Sequence, residues 1–262
     1  MTRLSVNLNK VALVRNARGG TTPGPGVRPS VARAARAVLE AGAAGLTLHP
    51  RPDRRHALPE DARALAPLAE AYGRELNLEG NPFSPEASGA GGRYPGFEAL
   101  LLEVGPTQAT LVPDARDQLT SDHGWDLARE GDRLRPVIAR LHERGCRVSL
   151  FMDADPEAVR RAADLGADRV ELYTGPYAAA HASGDAGAEL RRHAAAGEAA
   201  RAAGLGLNAG HDLDLENLGP YLAAVPGVDE VSIGQALVAD ALHAGLSTAV
   251  AAYLDVIGRA AR

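Results

Sequence analysis

The sequence predicts an α/β fold of the (β/α)8 type, a TIM barrel with extra helices. Three observations predict it. Short apolar runs recur eight times at fairly even intervals. The stretches between them are rich in Ala, Leu and Arg and carry apolar residues at helical spacing. Polar residues capable of chemistry crowd the carboxyl ends of the runs. Strand–helix alternation implies parallel strands joined by crossovers. Eight such units in 262 residues fit a closed barrel. The alternative is an open doubly wound sheet. Against it, no GxGxxG follows the first run, and Pro25 would spoil a phosphate-cradling turn at Gly24-Pro25-Gly26.

In chain order the runs are LSVNLN (4–9), GLTLHP (45–50), ELNLEG (75–80), QATLVP (108–113), RVSLFMD (147–153), RVELYTG (169–175), GLNAG (206–210) and EVSIG (230–234). Most are too short for a helix and are rich in Val, Leu and Thr. Residues 30–43 read as a helix: Val31, Ala34, Ala35, Val38 and Leu39 share one face, and Ser30 can cap its start. Pro59-Glu60-Asp61 and Asp155-Pro156-Glu157 place proline and acid at helix starts. Gly42, Gly73, Gly145, Gly166 and Gly204 follow helical stretches, where a left-handed closing residue is wanted. Residues 80–96 and 114–126 read as loops above the barrel. The tail reads as a final helix over about 247–262, with Ala249, Val250, Tyr253, Leu254 and Ile257 on one face. No linker divides the chain, so residues 1–262 are expected to form one barrel domain.

Bulk properties narrow the function. Hydrophobic residues make up 45% and the net charge is −5, with a pI near 5.9, which argues against a nucleic-acid-binding face. One cysteine, Cys146, excludes an internal disulfide and a Cys-rich zinc site. No segment reads as a signal peptide and no apolar run is long enough to span a bilayer, so a cytoplasmic protein is expected.

The carboxyl ends of the runs carry Asn7 and Asn9, His49, Glu79, Asp114, Asp153, Glu171 with Thr174, His211, and Gly234 with Gln235. In a barrel these ends meet at one rim. A buried polar side chain without a partner costs roughly 2–7 kcal/mol, so such a set at one end points to an active site. Singly, His49 could be a satisfied core histidine, Glu79 and Glu171 could pair with arginines, and Asn7 could pair with a neighbouring strand end. Two histidines and two glutamates facing one cavity suit acid–base work at neutral pH. Arg51 and His56, in the loop after His49, can reach over the mouth, whereas Arg54 and Arg55 can remain solvated. Arg15 and Arg18 add guanidinium groups after the first strand. Guanidinium forks suit phosphate oxygens. Gly234, between the last strand and a helix start, can hold a second anion on backbone N–H groups. Two phosphorylated substrates, or one bisphosphate, follow.

The segments VNLNKVALVRNARGG, TLHPRPDRRH, NLEGNP, TLVPD, SLFMDAD, VELYTGPYA, NAGHDLDLENL and VSIGQAL, in this order, resemble the pyridoxine 5′-phosphate synthase family. The likeness runs from about residue 4 to 254. It implies a (β/α)8 barrel with added helices, an octamer, and no metal or organic cofactor. The implied reaction condenses 3-amino-2-oxopropyl phosphate with 1-deoxy-D-xylulose 5-phosphate to pyridoxine 5′-phosphate, phosphate and water. By motif, His49 and Glu79 would accept protons, His211 would donate one, and Glu171 would stabilise charge in the transition state. Asn7, Arg18 and the backbone around Asp212, Gly234 and Gln235 would hold the amino-ketone phosphate. Asn9, Lys10, Arg51, His56 and Thr120 would hold the deoxyxylulose phosphate.

Three departures stand out. Much of the family reads N-x-D-H where this chain has Asn7-Leu8-Asn9-Lys10, glycine is common where Asp212 stands, and histidine is usual where Gln235 stands. Glutamine still donates hydrogen bonds but brings no positive charge to a phosphate. Two rival readings remain on the sequence alone. One is a Schiff-base aldolase using Lys10, the sole lysine. The other is an inactive phosphosugar-binding homologue.

Overall fold

The computed structural model describes residues 1–19, 26–89, 92–115 and 118–261. Its elements follow in chain order: β1 (Arg3–Asn7), α1 (Asn9–Gly19), α2 (Val31–Glu40), β2 (Gly45–Leu48), α3 (Pro59–Ala71), β3 (Glu75–Gly80), β4 (Ala87–Gly89), β5 (Gly92–Tyr94), α4 (Phe97–Val104) and β6 (Gln108–Leu111). After them come α5 (Leu127–Glu143), β7 (Arg147–Met152), α6 (Pro156–Asp164), β8 (Arg169–Tyr173), α7 (Gly175–Ala182), α8 (Gly187–Ala202), β9 (Gly206–Gly210), α9 (Leu218–Ala224), β10 (Val228–Ile233), α10 (Gln235–Ala244) and α11 (Leu246–Ala260).

Eight parallel strands close into a barrel in the order β1-β10-β9-β8-β7-β6-β3-β2. The register is set by period-two alternation. Leu4, Val6, Leu46, Leu48, Leu76, Leu78, Leu111, Val148, Leu150, Val170, Leu172, Val231 and Ile233 are buried in the layer shared with the helices. Burying each such side chain contributes roughly 1.5–3 kcal/mol. The alternate residues line the barrel and are polar. Ser5 meets Thr47 at 2.7 Å, Thr110 donates to Asn77 at 3.0 Å, and Arg169 donates to Asn208 at 2.7 Å. At the amino-terminal floor Glu75 pairs with Arg3 at 2.6 Å and with Arg147. Barrel interiors are usually filled by layers of branched apolar residues. This one is a hydrogen-bonded polar column beneath the mouth.

The helices begin and end as their sequences dictate. Ser30 accepts from the Arg33 amide, and Asp155 accepts from the amides of Glu157 and Ala158. Asp155→Ala is therefore expected to lower stability by about 1 kcal/mol, read as a shifted urea midpoint at unchanged slope. The five closing glycines all take positive φ; Gly73, at 61°, is a left-handed closure. On α11, Ala249, Val250, Tyr253 and Ile257 are buried as expected, joined by Val256, while Leu254 is half-buried. α11 packs against α2, α9 and α10. It ends at Ala260, two residues short of the expected bound.

Two local expectations change. The first strand stops at Asn7, and Asn9 and Lys10 open α1. Asn9 therefore bonds as a helix-start residue: its Oδ1 accepts from the His49 amide at 2.9 Å. Strand alternation consequently says nothing about where Lys10 points. Residues 80–96 are not all loop, because β4 and β5 pair there as an antiparallel hairpin. Arg15 and Arg18, which follow the first strand as expected, lie on α1. Gly24 and Pro25 lie outside the described residues.

Candidate active site

The strand ends bring the acid–base residues to one rim. His49 follows β2, is 6% exposed, and stands between two carboxylates. Its Nε2 is 3.1 Å from Asp114 Oδ2 and its Nδ1 is 3.7 Å from Glu79 Oε2. Burial is the largest single influence and disfavours the charged imidazole, but hydrogen bonding to Asp114 and Glu79 together with the Asp114 charge raises its pKa above the ordinary histidine value. Glu79, near the end of β3, accepts from Asn7 Nδ2 at 3.3 Å, Asn77 Nδ2 at 3.4 Å and Ser232 Oγ at 3.5 Å. No arginine pairs with it among the described residues, so the structural-partner alternative for Glu79 is not what the geometry shows.

Glu171, on β8, points into the polar column, and its Oε2 has no hydrogen-bond partner among the described residues. Burial first, and then the charges of Glu79 and Glu230, push its pKa well up. Gly210 makes room for it: a Cβ there would lie 2.2 Å from Glu171 Oε1. Beneath it, burial and Glu75 push Glu230 up to about 7.

His211 follows β9 with φ of 102°, a backbone conformation that a residue with a side chain adopts at a cost of order 1–3 kcal/mol. The turn is held by Thr174, whose Oγ1 donates to Gly210 O at 2.7 Å, and by Asn217, whose Nδ2 donates to Asp212 O at 3.0 Å. Asp212 Oδ2 sits 2.7 Å from His211 Nδ1. An ionised carboxylate only accepts, which puts the hydrogen on Nδ1 and leaves Nε2 facing Thr120 Oγ1 at 2.6 Å. The ring of Tyr173 meets that of His211 edge-on at 5.5 Å.

The basic run is less uniform than its sequence suggests. Arg51 is buried, pairs with Asp114, and donates to Gln118 O at 3.0 Å. Arg55 donates to the same carbonyl at 2.7 Å and to Leu119 O at 3.1 Å, which ties residues 118–119 over the mouth. Arg54 is no solvated side chain: it is buried and donates to Arg93 O at 2.8 Å and Glu60 Oε2 at 3.1 Å. His56 accepts from the Ala57 amide through Nδ1 at 2.9 Å, and burial, then the charges of His49 and Arg51, push its pKa down to about 2. His56 is thus neutral. It offers a hydrogen-bond donor to an anion, not the positive charge expected of it. Lys10 is half-buried at the first turn of α1; burial, then Arg55 and Arg51, lower its pKa.

Arg15 is a correction. Its guanidinium is buried and bound to Asp61, with Nη2–Oδ2 at 2.9 Å, so it is spent on the fold and cannot reach a phosphate. Arg18 is exposed on the last turn of α1 and joins no hydrogen bond or ion pair with the cluster among the described residues. Gly234 and Gln235 open α10 at the rim. A Cβ on Gly234 would come within 2.9 Å of Asn7 Cβ, which brings Asn7 and the α10 amino terminus together. Thr174 and Asp153 serve the backbone: Asp153 accepts from the Gly124 amide at 3.1 Å.

Asp114 is the group whose importance the sequence understated. It stands one residue beyond the expected strand, and nothing in its spacing to His49 reveals that the two meet across 65 residues of chain.

A family model described as pyridoxal phosphate biosynthesis protein PdxJ matches residues 4–259. The chain is 54% identical over 256 residues to a pyridoxine 5′-phosphate synthase of Xanthomonas axonopodis pv. citri (strain 306), covering 98% of this chain and 96% of that one. It is 51% identical over 256 residues to a protein of the same name from Xylella fastidiosa (strain 9a5c), covering 98% and 95%. Among solved structures, a thiamine phosphate pyrophosphorylase from Pyrococcus furiosus superposes with a TM-score of 0.60 at 12% identity, covering 99% of this chain and 96% of that one. That likeness speaks to the barrel alone.

Proposed function

The chain belongs to the PdxJ family of pyridoxal phosphate biosynthesis proteins, and on that premise we propose how its barrel mouth carries out pyridoxine 5′-phosphate synthesis. The substrates are 3-amino-2-oxopropyl phosphate and 1-deoxy-D-xylulose 5-phosphate. The carrying observation is His49, buried between Glu79 and Asp114 and beside the Arg51 guanidinium. That arrangement supports a proton acceptor next to an anion seat.

Arg51, Lys10, Asn9, Thr120 and the neutral His56 hold the deoxyxylulose phosphate. Asn7, Arg18 and the backbone around Asp212, Gly234 and Gln235 hold the amino-ketone phosphate, with the amino terminus of α10 supplying N–H groups. The amine attacks the ketone of the other substrate, and loss of water gives an imine. His49 and Glu79 take protons as phosphate departs. Glu171, which holds its proton tightly, donates a hydrogen bond to oxygen as negative charge develops. The carbon chain of the imine then adds to the amino-ketone's carbonyl in an aldol-type closure. His211, which first takes up a proton on Nε2, delivers it to the leaving hydroxyl in the last dehydration, and the aromatic ring results. Aromaticity drives the sequence, so the protein mainly positions partners and moves protons.

No helix among the described residues is long and apolar enough to cross a membrane. A cytosolic setting is supported by the single buried thiol, Cys146. Self-association, an octamer in the reading by resemblance, is supported by Leu13 and Val14 on α1 and Leu242 on the adjacent α10, all exposed.

The test mixes the protein with both substrates and follows pyridine absorbance and free phosphate. Equal molar release of the two is expected, and borohydride added during turnover is expected to leave Lys10 unmodified. Phosphate release without the pyridine, or a reduced adduct on Lys10, would overturn the reading.

A further inference from the structure

Asp114 emerges from β6 through Val112 and Pro113. The Val112 amide still bonds to Gly80 O at 2.9 Å, and Asn81 Nδ2 donates to the Asp114 carbonyl at 2.9 Å, so its backbone is pinned on both sides. The side chain is 6% exposed, and one oxygen, Oδ2, gathers three donors: His49 Nε2 at 3.1 Å, Ser121 Oγ at 3.1 Å, and the Arg51 guanidinium. His49 is fixed in turn by Asn9 on its amide.

We propose that Asp114 is a positioning residue for His49: it decides which imidazole nitrogen faces the reacting molecule and links that base to the phosphate seat through Arg51. The inference rests on His49 being the proton acceptor of the proposed reaction. An ionised carboxylate only accepts, so the single N–H of a neutral His49 lies on Nε2. The lone pair then sits on Nδ1, on the Glu79 side, 3.7 Å from that carboxylate. The groups facing His49 are Glu79 from β3, Asp114 beyond β6, and Arg51 and His56 from its own loop. Only Asp114 and Glu79 among these favour the imidazolium. Burial pushes Asp114 up, yet His49 and Arg51 bring it down to about 2, so it stays charged throughout the working range. A phosphate that engages Arg51 competes with Asp114 for it and leaves more of the Asp114 charge on His49. Substrate binding thereby strengthens the base.

Two measurements test this. In Asp114→Asn, kcat is expected to fall about tenfold or more, with a smaller change in KM. The acid limb of the kcat–pH profile should move down by about one unit, because removing an opposite charge lowers the His49 pKa. Asp114→Glu, which keeps the charge, should keep the limb near its wild-type position. A folded Asp114→Asn with an unmoved limb overturns the proposal, as does an equal shift in Asp114→Glu. Independently of activity and of any variant at residue 114, the wild-type protein labelled with 15N-histidine, with His49 assigned by its loss in His49→Asn, should show neutral His49 as the Nε2–H tautomer. The Nδ1–H tautomer would refute the positioning role. Failure of the reaction reading itself would show differently, as phosphate release without the pyridine in the wild-type protein, and failure of the His49 role as full turnover in His49→Asn.

Discussion

Replacing His49 with asparagine is expected to reduce turnover by about a hundred- to ten-thousandfold while the KM for each phosphorylated substrate changes only a few-fold. Asparagine is similar in size and can donate to Asp114 through its amide, so the buried carboxylate keeps a partner. It cannot take up a proton at the Nδ1 position, 3.7 Å from Glu79. The anion seat is built by other groups: Arg51 is held by the carbonyl of Gln118, and Lys10 comes from α1. The loss should therefore fall on kcat. Steady-state kinetics on both substrates and a thermal melt of the variant check it. A near-normal kcat removes His49 from the chemistry, and a KM change larger than the kcat change reassigns it to binding.

The barrel was legible in the sequence because its outward strand residues are Leu, Val and Ile at strict period two, and its helices carry their own caps and closures. The convergence of His49, Glu79, Glu171 and His211 followed from strand direction alone, since parallel strands deliver their carboxyl ends to one face. What the sequence concealed were the partners. The run from Arg51 to His56 divides by sequence into Arg51 and His56 over the mouth and Arg54 and Arg55 in solvent, but burial depends on contacts from Asp114 and the hairpin β4–β5, which are distant in sequence, and from Glu60 on α3. Desolvation then turns His56 neutral. Asn9 opens the helix rather than ending the strand, because a strand end and a helix start share the same Asn-rich letters. The polar column carries its own sequence signal: Ser5, Thr47, Asn77, Thr110, Ser149, Asn208 and Ser232 each occupy an inward position next to an outward aliphatic one.

Asp61→Ala is expected to cost about 3–5 kcal/mol, among the largest single losses this chain can suffer outside its apolar core. Asp61 is 5% exposed and Arg15 2% exposed, and the two are bound by both guanidinium nitrogens. The carboxylate also accepts from the Leu58 amide at 2.9 Å, which closes the start of α3. Removing it strands a buried guanidinium and an unpaired helix amide together. The consequence reaches the site. Arg15 Nε holds Asn16 Oδ1 at 2.9 Å, and Asn16 Nδ2 donates to the carbonyls of Arg54, Arg55 and His56 at 3.3, 3.1 and 2.8 Å. The ion pair therefore fixes the loop that carries the anion seat. At a temperature where the variant is still folded, the KM for 1-deoxy-D-xylulose 5-phosphate should rise more than kcat falls. Replacing both partners, Arg15→Met with Asp61→Leu, removes the buried charges instead of orphaning one. It should recover most of the lost stability, because the desolvation of two ions no longer has to be offset by their attraction. The KM should stay raised, since the clamp on Asn16 is gone. Urea melts of the single and double variants decide the first point. A double variant no more stable than Asp61→Ala alone would mean that the Leu58 cap, and not the stranded guanidinium, sets the loss.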